Sequence, residues 1–325
     1  MSDLLRKVRL ARKRPRRVSR YLRTATTMSL QMLSQGRPHH LGAMIVSGIT
    51  GWNPYVSYLR KRSTNGTVVL KHIHGHSMEI DLSDNGLSRN LLMFHTWEDR
   101  AARAYRRELS ELAERTDDPV VLEIGANIGY YCLQEAQILG PDATIHAFEP
   151  EPRNFELLRR NVKRNGYQDR TVLRNVAVTP TGGAIHFEIS SEGNQHRVVT
   201  EQDENTVEVE SVGIGEYLHE QEIAPEAVSA IRMDIQGLEA ELLRELEDVL
   251  STANPLVLFI GLHSSVDESD LKWLLTQFAE RFDIASVTTG DGVQQWQTVP
   301  VNVNSFDELF DSPYDSVELV LKKGL

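Results

Sequence analysis

Ten residues constrain this chain more than any others: Val120 to Gly129, VVLEIGANIG. Apolar residues, an acid and two glycines four apart predict a buried parallel strand that breaks into a tight turn and then a helix. A chain built on such a unit folds as an open α/β sheet, and open α/β sheets bind ligands in the crevice beyond the carboxyl ends of their strands. Glycine serves where the backbone takes a positive φ or a ligand approaches the main chain closely, which makes Gly125 and Gly129 candidate binding positions. Glu123, at the strand's end, faces a positive or hydroxyl-rich group in that crevice. A plain strand-to-helix turn has the same residues, so the pattern alone leaves a purely structural reading open.

A second acid narrows the choice. Ala143 to Phe148 (ATIHAF) is a short apolar run followed by Glu149, Pro150, Glu151 and Pro152, and Glu149 lies 20 residues beyond Gly129. That interval accommodates one helix and a return strand, and a carboxylate there can accept both hydroxyls of a ribose. The competing reading makes Glu149 an acid at a helix N-terminus, favoured by the helix dipole. The turn reads G-x-x-x-G, whereas dinucleotide sites read G-x-G-x-x-G, so no pyrophosphate is expected.

In order, EIGANIGYY, HAFEPEPRNFELLRRNVKRNG, RNVAV and IRMDIQGLEAELL, with MEIDLSDNGLSRNLL upstream, resemble the successive signatures of the FkbM family of S-adenosylmethionine-dependent methyltransferases. The resemblance spans residues 78 to 263. It implies an α/β, Rossmann-like class I methyltransferase fold, a mostly parallel seven-stranded sheet with helices on both faces, here with an N-terminal extension and added β-hairpins. It also implies S-adenosylmethionine as cofactor and O-methylation of a hydroxyl or carboxyl of a sugar in a glycan, glycolipid or related polyhydroxy metabolite. Carried onto this sequence, the resemblance gives the methionine end of the cofactor to Glu123, Gly125, Asn127 and Gly129, the ribose to Glu149, and the adenine surroundings to Asn175 and Ala177. Asn194, His196 and Glu239 become acceptor-binding candidates. Asp234 or His263 takes the acceptor's proton, histidine at a strand end being a suitable base near neutral pH. Two departures stand out: Gln236 and Gly261 occupy positions where the family usually has Glu. Loss of the charge at 236 leaves Asp234 with fewer like-charged neighbours.

Composition separates the chain into two electrostatic parts. Residues 1 to 71 carry 15 Lys or Arg and one acid, whereas residues 72 to 325 carry 20 bases and 45 acids, so a +14 segment precedes a −25 body. Arginines outnumber lysines 27 to 8. An acidic, lysine-poor body suits a protein working in high salt, where self-repulsion is screened. Met1 to Arg23 holds ten Lys or Arg among apolar residues and reads as a basic amphipathic segment for peripheral contact with an anionic membrane, or as a solvated tail. Cys132 is the single cysteine, which excludes an intrachain disulfide and a cysteine-based zinc site. With no secretory signal and only Leu41 to Ile49 as an early apolar run, a cytoplasmic location is expected, peripheral at the inner membrane face if the basic segment engages lipid.

The chain divides into a basic extension (1–66), a hairpin and helix leading into the core (67–118), and a methyltransferase domain (119–325). Thr67 to Leu82 reads as a hairpin turning near Gly75. Its histidines 72, 74 and 76 are set against a bland strand, and no metal site is expected. Thr96 to Arg115 reads as a helix capped by Thr96 with Asp99 three residues on. Further strands are expected at 171–178, 228–233, 255–260, 283–287 and 316–321, helices at 154–166, 237–250 and 271–282, and an antiparallel pair at 183–189 and 206–214. The polar stretch between that pair is a candidate acceptor loop. Two rival functions remain: an RNA methyltransferase using the basic tail, though N-P-P-Y is absent at the fourth strand, and a catalytically degenerate, membrane-associated interaction module, motivated by Gln236 and Gly261.

Overall fold

The computed structural model describes residues 41–43, 46, 53–188, 197–199, 206–235, 237–263, 268–290, 297–298 and 316–325. The basic segment 1–23, Asn194, His196 and Gln236 lie outside the described residues, as does the side chain of His263. Helix α1 (Pro54–Arg62) starts at Asn53, whose side chain accepts from the amides of Tyr55 and Val56. It precedes the expected hairpin, β1 (Thr67–Ile73) and β2 (His76–Asp81), which pair antiparallel with a register shift between Leu70 and Ile73. The three histidines do not share a face. His72 and His74 take positive φ at this irregular end, His74 Nε2 lies 2.8 Å from the Tyr130 hydroxyl, and His76 Nε2 lies 3.1 Å from that of Tyr167.

Helix α2 (Leu87–Phe94) is followed by α3 (Asp99–Ala113), which starts later than the Thr96 cap predicts. Thr96 Oγ1 only reaches Asp99 at 3.4 Å, and the cap residue is Glu98 in the left-handed region with no side-chain cap. A tertiary contact overrides the local signal: the Tyr130 hydroxyl accepts from Trp97 N at 3.1 Å and lies 3.2 Å from Trp97 O, pinning the chain two residues before the helix.

The core strands are β3 (Val120–Ile124), β4 (Thr144–Phe148) and β5 (Thr171–Arg174), separated by α4 (Tyr130–Leu139) and α5 (Pro152–Arg164). The strand expected at 171–178 is two strands in different sheets. After β5 the chain leaves, and β6 (Ala177–Thr179) joins β7 (Gly183–Glu188), β8 (Arg197–Val199) and β9 (Thr206–Gly213) in a four-stranded sheet of order β6-β9-β7-β8. The side chain of Asn175 makes the break, donating to Glu149 O (2.8 Å) and Pro150 O (3.1 Å).

Helix α6 (Ile214–Glu220) returns to the main sheet at β10 (Val228–Met233). The helix expected at 237–250 is two, α7 (Glu239–Glu245) and α8 (Glu247–Thr252), joined at the buried Leu246. Then come β11 (Leu256–His263), α9 (Glu268–Arg281), β12 (Asp283–Gly290), the two-residue β13 (Gln297–Thr298) and β14 (Ser316–Lys323). The sheet runs β13-β12-β14-β11-β10-β3-β4-β5, with β14 antiparallel to both neighbours. Apart from the short edge strand β13, this is the seven-stranded, mostly parallel Rossmann-like sheet expected.

Continuous apolar strands make sense here because both faces are covered. Successive residues alternate between two cores: Val121, Ala230, Phe259 and Val320 pack with the hairpin and α3 to α5, whereas Leu122, Ile231, Ile260 and Leu319 pack with α6 to α9. The first core joins Ile73, Met78 and Tyr105 of the preceding segment to the sheet. Among the described residues no helix is long and apolar enough to cross a membrane.

Candidate active site

The strand order reverses between β3 and β10, so the carboxyl ends of these two strands mark the position at which open α/β sheets bind ligands. Extended by one residue, the strand register gives a row across the tips: Glu149, Gly125, Asp234, Gly261 and Glu318. Acids and glycines alternate along it. Below lies Glu123, Arg232, Phe259 and Val320, one pleat deeper on the same face.

The deeper row carries a buried ion pair. Glu123 is fully buried, and its Oε1 accepts from Arg232 Nη1 at 3.0 Å. Nη1 also lies 3.4 Å from Gly125 O, and Nη2 donates to Asp234 Oδ2 at 3.3 Å. The guanidinium stacks over Tyr131, 4.0 Å from its ring centroid. Burial opposes the Arg232 charge, but Glu123 and Asp234 outweigh it and hold the group protonated. Burial and then the neighbouring Glu135 push Glu123 well above the usual carboxylate range, so Glu123 and Glu135 hold a proton between them and face Arg232 with one negative charge. The positive group that Glu123 faces is therefore the protein's own Arg232. The expected direct contact with a ligand is not available to a carboxyl with no exposed surface; Glu123 reaches the turn through Arg232 and Gly125 O.

Both turn glycines take positive φ, +85° at Gly125 and +90° at Gly129. A Cβ on Gly125 would sit 2.5 Å from Asp234 O, and one on Gly129 would sit 2.8 Å from Leu158 Cδ1. These glycines thus let β10 and α5 close against the turn. Asn127, also left-handed at φ 50°, donates its amide to Glu149 Oε2 at 2.8 Å, and Glu149 Oε1 accepts from Glu151 N at 2.9 Å. Glu149 is nine-tenths buried, and burial pushes its carboxyl up to about 8 against the pull of those two amide bonds. The cap of α5 is Glu151, which accepts from Asn154 N, so Glu149 is not serving as the helix cap. Ala177 is buried in the second sheet beside Val209, while Asn175 braces the loop around Glu149.

On the other side of Gly125, Asp234 N donates to Ile124 O at 3.2 Å, seating Asp234 beside the first strand as expected. Glu239 starts α7 fully buried, with Oε1 accepting from Gly237 N at 3.1 Å. Glu318, missed by the sequence reading, stands directly opposite Gly261 in the β11–β14 ladder. Its carboxyl and that of Asp234 flank the point where a Cβ at 261 would sit, at 3.3 to 3.5 Å from it. Asp234 therefore does have a like-charged neighbour, supplied by a distant strand. A lone acid in the apolar run SVELVL was the available signal, because an unpaired buried acid is otherwise rare. Among the described residues no group of three or more His, Cys, Asp or Glu side chains is arranged to hold a metal ion.

A family model described as the methyltransferase FkbM domain matches residues 123–284, about half of the chain. The hexuronic acid methyltransferase AglP of Haloferax volcanii is 27% identical over 168 residues, 51% of this chain and 65% of AglP, so the chain spans just under two thirds of that relative. Among solved structures, methyltransferase FkbM from Methylobacillus flagellatus KT aligns with a TM-score of 0.37 and 14% identity over 62% of this chain and 44% of that one. An O-methyltransferase from Bacillus cereus in complex with SAH aligns with a TM-score of 0.41 and 11% identity over 70% and 82%. The family match covers the Glu123 turn, the Glu149 tip and the Asp234 tip together, and the chain belongs to the FkbM methyltransferase family.

Proposed function

We propose that this chain is an S-adenosylmethionine-dependent O-methyltransferase acting on a saccharide or related polyhydroxy acceptor. The observation that carries the reading is the row of alternating acids and glycines across the switch point of the sheet. The residues fit the cofactor: each oxygen of Glu149 accepts one backbone amide and, once the carboxyl is ionised, keeps a second lone pair for a ribose hydroxyl, and the Asp234 side of the row is acidic, which suits a cation. When bound, S-adenosylmethionine supplies a methyl group on a sulfonium whose leaving group is already activated.

In this reading the Gly125–Gly129 turn and Asn127 hold the methionine end, with Glu123 supporting them through Arg232. Asn175 and Ala177 flank the adenine. Asp234 accepts the acceptor's proton, Glu239 helps shape the acceptor side, and Asn194, His196 and His263 complete it. Orientation contributes up to about 7 to 11 kcal/mol in favourable cases, and a general base about 10²- to 10⁴-fold. The similarity to AglP, described as a hexuronic acid methyltransferase, supports a sugar acceptor.

Two measurements test this. Calorimetry with S-adenosylmethionine is expected to show at least tenfold weaker binding for Glu149→Ala, and unchanged affinity overturns the ribose assignment. Comparing glycan and glycolipid masses with and without the gene is expected to show a difference of one methyl group, and identical profiles count against a saccharide acceptor.

A further inference from the structure

The strand-tip row holds one more acid than this mechanism uses. A Cβ at Gly261 would lie 3.4 Å from Asp234 Oδ1 and 3.3 and 3.5 Å from Glu318 Oε2 and Oε1, so two carboxyls from different strands converge on one point. Glu318 is 3% exposed, and its Oε2 has no hydrogen-bond partner among the described residues. The charged groups facing it are Glu98 before α3, Asp234 and Arg232 of β10, and Glu239 of α7. Arg232 is already shared between Glu123 and Asp234. A buried carboxyl with a bare oxygen among like charges persists only with a proton on it or a cation beside it.

We propose that Asp234 and Glu318 form a carboxyl pair that holds one proton in the free protein and releases it to solvent when a sulfonium is seated beside it, leaving Asp234 ionised for the acceptor hydroxyl. This rests on the cofactor reading above. Burial, then the like charges of Glu98 and Asp234, hold Glu318 protonated in the free protein. A neighbouring cation favours the ionised form. During methyl transfer the acceptor oxygen forms its bond to the methyl carbon, the carbon–sulfur pair stays on sulfur, and the hydroxyl proton passes to Asp234. The sulfur is then neutral, and the transferred proton restores the single proton that the pair holds. One proton is thus lost at donor binding and regained at chemistry, which matches the net stoichiometry of methylating a hydroxyl.

The test needs no acceptor. S-Adenosylmethionine and S-adenosylhomocysteine, which lacks the sulfonium charge, are titrated by calorimetry near pH 7 in phosphate and in Tris, whose different ionisation heats report protons released. Any contribution from Glu149 is common to both ligands, and the Glu318→Gln variant separates the pair from the proton held at Glu123 and Glu135. The wild type is expected to release up to about one more proton with S-adenosylmethionine. Glu318→Gln is expected to bind both ligands and abolish the difference. Equal release by both ligands in the wild type, or a difference surviving in Glu318→Gln, overturns the proposal. A second measurement uses wild type alone: its preference for S-adenosylmethionine over S-adenosylhomocysteine should grow with pH by up to about tenfold per unit, and a flat ratio overturns the proposal. Binding of neither ligand overturns instead the cofactor reading on which it rests.

Discussion

Burying Glu149 makes the crevice sensitive to pH. Its carboxyl, raised to about 8, binds a proton more tightly folded than unfolded. The resulting stability is fully present below the ordinary carboxylate value and lost as pH rises through about 8, an effect on the order of several kcal/mol. Glu149→Gln is expected to flatten the fall in urea midpoint between about pH 6 and 9; an unchanged slope assigns the loss to other groups. The turn glycines give a second residue-scale contrast. Gly125→Ala drives a Cβ into a backbone carbonyl at positive φ, and should cost at least about 2 kcal/mol in urea denaturation. Gly129→Ala meets only the end of the Leu158 side chain, which can rotate away, and should cost less. Glu123, Gly125, Glu149 and Asp234 were legible in the sequence because each ends an apolar strand at a recognisable turn. Glu318 was not, because only the antiparallel register of β14 brings it to Gly261, 57 residues earlier. Arg232 was equally hidden, as an arginine inside IRM carries no mark of the acids it joins.

Between elements, the hairpin is attached to the strand-tip row by two asparagines one turn apart, Asn161 in α5 and Asn165 at its C-cap. Asn161 Oδ1 accepts from Glu79 N (2.6 Å), and its Nδ2 donates to Glu79 O (3.0 Å) and Ile128 O (2.9 Å). Asn165 does the same for Ser77, accepting from its amide and donating to its carbonyl, both at 3.0 Å. These amides stand in for a third strand along β2, covering an edge that would otherwise present unpaired backbone groups. Arg160 and Arg164 reinforce the contact through Glu79, at 2.8 and 3.0 Å. Asn161→Ala leaves buried backbone groups of Glu79 and Ile128 unmade and should cost about 2 to 3 kcal/mol. Because Ile128 follows Asn127, whose amide holds Glu149, the same variant should weaken S-adenosylmethionine binding several-fold, whereas a purely structural clamp leaves calorimetric affinity unchanged. The hairpin and α5 could each be read from periodicity and turn residues. Their connection could not, because its hydrogen bonds span more than 80 residues of sequence. The same limit explains the 171–178 segment: its apolar run looks continuous, but the side chain of Asn175 is committed to the loop at Glu149.

At the scale of the whole molecule, charge is the property that sequence fixes without help from the fold. The body from residue 72 carries −25, and in dilute buffer this self-repulsion opposes compaction. Some of it is relieved internally, as where the buried Glu79 holds two partly exposed arginines and Lys322 bridges the buried Glu108 and the partly exposed Glu111, but these few pairs leave most of the excess charge in place. Salt screening should supply the rest. The melting midpoint is expected to rise by several degrees between about 0.1 M and 2 M KCl, where the Debye length falls from about 10 Å to under 3 Å. A melt insensitive to salt removes the case for a protein suited to brine. The same screening sets a condition on the basic segment 1–23. If it meets anionic membranes through charge alone, co-flotation with phosphatidylglycerol vesicles should be strong at about 0.1 M KCl and gone at 2 M; flotation that survives shows that its leucines and valines enter the lipid.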